Sequence, residues 1–118
     1  MRRFLALVIA LVAASALVTA VSVSAQKSEI VIGVQCDRTG PTQIVGTTLC
    51  PGMHDYFALV NSKGGIEGHP IKALEIDHEY KVPPAVESYE RHKKEGAVSM
   101  AIYGTPQVYA LAAKLTED

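Results

Sequence analysis

The stretch Ile30-Val31-Ile32-Gly33-Val34 constrains the fold more than any other. Four of its five residues are branched and apolar, and they run without alternation. That pattern suits a strand buried on both faces of a sheet. The run then breaks through Gln35 and Cys36 into Asp37-Arg38-Thr39-Gly40-Pro41, which is turn chemistry. A buried strand that leaves through a polar, glycine-containing loop toward a helix opens a β-α-β unit. In open parallel sheets, ligands sit at such loops, at the carboxyl ends of the strands.

The rest of the chain repeats that alternation. A loop is expected over residues 35–48, with Pro51 in the first turn of a helix. Met53, Tyr56, Phe57 and Val60 recur at helical spacing, and Gly64-Gly65 ends the helix. Ile71–Asp77 reads as the second strand. Pro83-Pro84 open a second helix running to about Glu95, with Val82, Val86 and Tyr89 on its apolar face. Ala97–Tyr103 is expected as the third strand. In the turn that follows, Thr105 is expected as N-cap and Pro106 as first helical residue. Val108, Leu111, Ala112 and Leu115 then mark the apolar face of a third helix. Three β-α units with short connections predict an α/β fold, a parallel sheet with helices on both faces. Three strands leave open edges, so the chain reads as the amino-terminal part of a larger lobe, or else as a small domain that dimerises along its edge.

The start of the chain reads as an address rather than as fold. Arg2-Arg3 precede the almost wholly apolar Phe4–Val21, and Val23-Ser24-Ala25 supply small residues ahead of Gln26. This predicts a cleaved signal peptide over 1–25, with an uncleaved anchor as the alternative. Export implies a periplasmic location and an oxidising compartment. Cys36 and Cys50 are then expected to bridge, the alternative being two free thiols in a turn. Removing Arg2 and Arg3 from the 11 basic residues leaves 9 against 12 acidic ones, a net charge of −3. With no basic stripe, nucleic acid is excluded as a partner.

Chemistry-bearing motifs are few. No glycine-rich phosphate loop, dinucleotide fingerprint or nucleophile elbow occurs. Asp77-His78-Glu79 lacks the spacing of a metal site and reads as a surface loop. No metal or cofactor and no enzyme activity are expected. Arg38 is expected in solvent, the alternative being an ion pair with an acid of a second lobe. One site does stand out. The turn Gly104-Thr105-Pro106-Gln107 opens a helix, and the amides of Gln107 and Val108 with the Thr105 hydroxyl suit a carboxylate.

The helix–turn–strand stretch Val60-Asn61, Gly64-Gly65-Ile66-Glu67-Gly68 and Asp77 resembles the substrate-binding proteins of ABC importers of the branched-chain amino acid (Leu/Ile/Val-binding) type. Ile32-Gly33-Val34 with Thr39-Gly40-Pro41, then Tyr80, Pro83 and Ala85, then Gly104-Thr105, extend the resemblance over the whole of 26–118. Members of that family are two-lobed and considerably longer, so the resemblance implies an incomplete first lobe. It implies capture of an amino acid or similar small carboxylated solute, handed to a membrane permease driven by ATPase subunits. By resemblance, Thr105 holds the carboxylate and the loop carrying Thr39 and Val45 forms the opposite wall. Gly104, Pro106 and Gln107 complete the turn, and Tyr103 flanks it or packs beneath the loop. The other reading is a ligand-sensing extracytoplasmic receptor domain of the same fold. A secreted enzyme finds no support beyond the fold.

Overall fold

The computed structural model describes residues 27–117. The expected signal peptide lies outside the described residues. No helix among them is long and apolar enough to cross a membrane.

Three strands and three helices alternate: β1 Ile30–Cys36, α1 Gln43–Ser62, β2 Ile71–Asp77, α2 Val82–Lys94, β3 Ser99–Ile102 and α3 Thr105–Glu117. The sheet is fully parallel, in the order β2-β1-β3. Because β2 and β3 flank β1 on opposite sides, right-handed crossovers must place α1 on one face and α2 on the other, and α3 packs beside α2. The contacts agree. Cys50 of α1 reaches Cys36 from one side, and His92 of α2 covers Gly33 from the other. Lys114 of α3 pairs with Glu90 of α2.

The α1-side core gathers Val34, Cys36 and Cys50, with Ile32, Met53, Phe57 and Ala73 packed around them. On the other face Ala85, Tyr89, His92 and Leu111 are buried. Alternation along β1 explains the division: residues 32, 34 and 36 face α1, while Gly33 and Gln35 face α2.

The Asn61 side chain ties α1 to β2. Its amide nitrogen donates to the Ile71 carbonyl at 2.8 Å, and its oxygen accepts from the Ile71 N–H at 2.7 Å. The Gly65 N–H reaches back to the Val60 carbonyl and closes the helix end.

Three expectations about the elements are corrected. Helix α1 begins at Gln43, not near Pro51, which lies inside it. The early turns are held down on the end of β1, since the Cys36–Cys50 disulfide pins Cys50 there. Gly46 meets the Asp37 backbone so closely that a Cβ would stand 2.3 Å from its carbonyl oxygen. Strand β3 is shorter than 97–103. The Ala97 N–H closes the end of α2 on the His92 carbonyl, and the Tyr103 carbonyl accepts from a side chain. The apolar face expected for α3 is mostly open: Leu111 is buried, whereas Val108 and Leu115 are exposed. On the other face of the sheet Leu49 and Tyr56 of α1 are exposed as well.

Candidate functional site

All three strands end at one edge, and their three exit turns converge there. The register sets Cys36 beside Asp77 and Gln35 beside Ile102, so the chain leaves the strands at one level. The β1–α1 loop carries Arg38, Thr39 and Gly40. The β2–α2 turn carries His78, Glu79 and Tyr80. The β3–α3 turn carries Tyr103 and Gly104.

His78 joins the three. Its backbone N–H donates to the Cys36 carbonyl at 2.8 Å. Its ring Nε2 lies 3.0 Å from the Tyr103 carbonyl, and its Nδ1 accepts from the Tyr80 N–H at 3.0 Å. An acceptor at Nδ1 and a carbonyl facing Nε2 assign the Nε2–H tautomer. Far from lying in a surface loop, as the sequence suggested, His78 is fully buried. No pattern of neighbours in sequence marks it, because its ring partner Tyr103 is 25 residues away.

The middle turn is under backbone strain. Glu79 (φ 54°) and Tyr80 (φ 58°) are consecutive residues in the left-handed region. Asp77 holds them, its Oδ1 accepting from the Glu79 N–H at 2.9 Å. Its Oδ2 takes the Thr39 hydroxyl at 2.7 Å, tying this turn to the β1–α1 loop. Burial pushes the Asp77 carboxyl up, but the hydrogen bonds from Glu79, Thr39 and Arg38 outweigh it and leave it below its ordinary value. The strained turn brings the Tyr80 ring against that of Tyr103, with centroids 5.9 Å apart. Sequence reasoning passed over Tyr80 as a site residue because only the turn's geometry brings it there.

Of the residues expected to bind, Tyr103, Gly104, Thr105, Pro106 and Gln107 are contiguous, and Thr39 is in the adjoining loop. Thr105 and Pro106 are exposed at the start of α3. Two details differ from expectation. The cap of α3 is Gly104, not Thr105: the Val108 N–H donates to the Gly104 carbonyl at 3.0 Å and is no longer free. The amides of Thr105 and Gln107 remain as first-turn donors. The Gln107 side chain is fully buried and folds back over Gly104, with neither amide atom hydrogen-bonded among the described residues. Val45 belongs to the first turn of α1 rather than to a loop, and is 40% exposed.

Arg38 is not left to solvent. Its Nε and Nη2 grip the two oxygens of Glu75 at 2.5 and 2.7 Å. His54 of α1 meets the same carboxylate at 2.7 Å. The hydrogen bond from Arg38 comes first among the causes that hold Glu75 below its ordinary pKa, burial working against it and His54 adding to it. Asp37 is buried, takes the Thr42 hydroxyl on one oxygen, and leaves the other unpartnered among the described residues.

The arrangement offers a helix N-terminus with first-turn amides, an exposed hydroxyl and an aromatic pair, beside a polar loop. The family described as "Periplasmic binding protein" matches residues 29–118. The chain belongs to that family. Solved structures agree in fold. A fatty acid ABC transporter substrate-binding protein from Thermomonospora curvata matches with a TM-score of 0.72 at 26% identity, covering 76% of this chain and 23% of the other. An extracellular ligand-binding receptor from Verminephrobacter eiseniae matches at 0.68 and 22% identity, over 76% of this chain and 26% of that one. The branched-chain amino acid transporter substrate-binding protein of Streptococcus pneumoniae, in complex with isoleucine, matches at 0.69 and 20% identity, over 75% and 26%. No curated protein matches the chain in sequence. The chain thus spans about a quarter of the length of these periplasmic-binding-protein structures, in keeping with a partial form of the fold.

Proposed function

We propose that this chain contributes one wall of the ligand site of an exported solute-binding protein, which captures a small carboxylated solute for an ABC importer. The turns at the ends of β1 and β3 stand on adjacent parallel strands, so the Thr105 hydroxyl and the first-turn amides of α3 face the same edge as the loop bearing Thr39. This juxtaposition is the observation that carries the reading. A helix N-terminus of this kind favours an anion. A fatty acid and isoleucine, the solutes named for two of the similar structures, have in common a carboxylate and an apolar chain. The half-site here fits the shared group, with Tyr80 and Tyr103 offering apolar surface beside it. In this reading residues 1–25 are removed on export, the solute is delivered to a permease with its ATPase subunits, and no bond in it is made or broken.

One wall gives weak binding, because a solute enclosed by two lobes makes about half its contacts with each. The test is a heteronuclear NMR titration of the protein with isoleucine, isoleucinamide and a short fatty acid. The amides of Gly104, Thr105 and Gln107 should shift with both carboxylates, at millimolar affinity, and should not shift with the amide. Shifts confined to other regions, or equal shifts with isoleucinamide, would overturn the reading.

A further inference from the structure

A buried imidazole with a hydrogen bond at each ring nitrogen is committed to one tautomer and one orientation. His78 is fully buried, and its two bonds go to different turns. Nε2 lies 3.0 Å from the Tyr103 carbonyl, and Nδ1 lies 3.0 Å from the Tyr80 nitrogen. Neither turn holds its shape by local preference alone. Tyr80 is left-handed at φ 58°, and Gly104, next to Tyr103, has φ 110°.

The Nε2 bond acts on the start of α3. A trans peptide unit is planar and points its C=O and N–H in opposite directions. Binding the Tyr103 carbonyl to the buried ring therefore turns the Gly104 N–H away from it, where it meets no acceptor among the described residues. Gly104 caps α3, so the same bond fixes the plane from which the first-turn amides start. The Nδ1 bond acts on the apolar side. It holds the Tyr80 backbone while the Tyr80 ring lies 5.9 Å from that of Tyr103. The Tyr80 ring also reaches Gly104, where a Cβ would stand 3.0 Å from its Cε2. Amide donors and aromatic surface thus meet at Gly104, each held by one nitrogen of the same ring.

We propose that His78 is the positioning residue of the solute site, its Nε2–H setting the carboxylate donors at the start of α3 and its Nδ1 setting the Tyr80–Tyr103 surface that takes the apolar chain. This rests on the solute-binding reading above. His78 lies beneath the turns and acts through Tyr103 and Tyr80. Groups that touch a ligand keep their geometry when neighbours behind them hold them by hydrogen bonds. The two arms are separable, because two side chains each copy one of them. The side-chain oxygen of asparagine is as many bonds from Cβ as Nδ1 is in histidine. His78→Asn therefore keeps an acceptor for the Tyr80 N–H and loses the donor to Tyr103. The side-chain nitrogen of glutamine is as many bonds from Cβ as Nε2 is. His78→Gln therefore keeps the donor and loses the acceptor.

The test is an NMR titration of the wild type, His78→Gln and His78→Asn with propionate and with hexanoate, at fixed ionic strength. Propionate reads the carboxylate contact, and the ratio of hexanoate to propionate affinity reads the apolar one. The wild type should prefer hexanoate. His78→Gln should keep the propionate affinity and lose the preference. His78→Asn should weaken both solutes by about threefold to tenfold and keep the preference. Variants that lose both contacts alike, or that bind as the wild type does, would overturn the proposal. Should either variant fail to fold, the wild type decides. A slowly exchanging Hε2 proton on His78 must be present and must shift with both solutes; its absence, or its indifference to them, overturns the proposal. A wild type that takes up neither carboxylate would overturn the solute-binding reading and this inference with it, whereas binding to which His78 is indifferent overturns the inference alone.

Discussion

His92 fills the space a side chain at Gly33 would need. A Cβ on Gly33 would stand 2.6 Å from His92 Nδ1, 2.7 Å from Cγ and 3.1 Å from Cβ. The central strand therefore lacks a side chain at its midpoint so that a helix can bring a ring down onto its backbone. Gly33→Ala adds one methyl where no flexible tip can yield. Its overpacking cost, about 1–3 kcal/mol, exceeds the ~0.4–1 kcal/mol that a stiffer unfolded chain returns. Urea denaturation should show the loss. In the His92→Ala background the same substitution should cost less, and a double-mutant cycle measures that coupling.

The same ring makes stability fall on acidification. His92 is fully buried, and among the described residues neither ring nitrogen makes a hydrogen bond of ordinary geometry. Burial comes first in pushing its pKa below the ordinary 6.5. The Leu74 backbone and Glu95 oppose that, and Arg91 adds to it. A depressed folded pKa means the unfolded chain binds the proton first, so stability rises with pH wherever the two states differ in protons bound. The loss therefore begins as pH drops below about 6.5 and stops growing below the folded value. Glu75 and Asp77, both below their ordinary values, add a second loss at lower pH, starting near their unfolded pKa values. Thermal midpoints measured from pH 7.5 to 5 should decline for the wild type and stay flatter for His92→Leu. An equal slope in the two proteins would refute the assignment.

Much of this was legible in the sequence where a local pattern settles the structure. Ile71–Asp77 alternates between two turn signals and forms a strand over those same residues. Pro83-Pro84 and Gly96 bracket α2 for equally local reasons. What was not legible depends on partners distant in the chain. Helix α1 starts eight residues before Pro51 because a disulfide and a close approach at Gly46 fix turns that propensity alone leaves open. Arg38 looked solvated because Glu75, its partner, is 37 residues away and on another strand. His78 and Tyr80 are set by hydrogen bonds that only the parallel register makes available. In the candidate site, the turn after β3 was readable from Gly104 and Pro106. The strained turn after β2 that supports it was not.

Gly40 and Gly96 separate two reasons for a glycine. Both have positive φ, 91° and 83°. A Cβ on Gly96 would meet nothing within 4 Å, whereas one on Gly40 would lie 2.6 Å from the Glu79 carbonyl oxygen. Gly96→Ala should cost only the left-handed backbone term, about 1–2 kcal/mol. Gly40→Ala should cost more, because the obstructing atom is backbone in a turn already strained at Glu79 and Tyr80. It should also broaden or shift the amides of residues 78–80 in NMR spectra, which Gly96→Ala should leave in place. Equal destabilisation by the two would show that the β1–α1 and β2–α2 turns do not depend on each other.

Gly52 predicts the opposite sign. It lies within α1, directly after Pro51, and is exposed. A Cβ there would meet nothing within 4 Å. Neither a turn nor a close contact calls for glycine at this position, and its φ is not positive. In a helix interior glycine costs about 0.5–1 kcal/mol relative to alanine, through the conformational freedom it gives the unfolded chain. Gly52→Ala should therefore raise stability by about that amount and move the thermal midpoint upward by a few degrees. The gain should persist after reduction of the Cys36–Cys50 bridge, since the backbone term does not depend on the crosslink. If it instead vanished on reduction, α1 around Pro51 would be held helical by the disulfide alone.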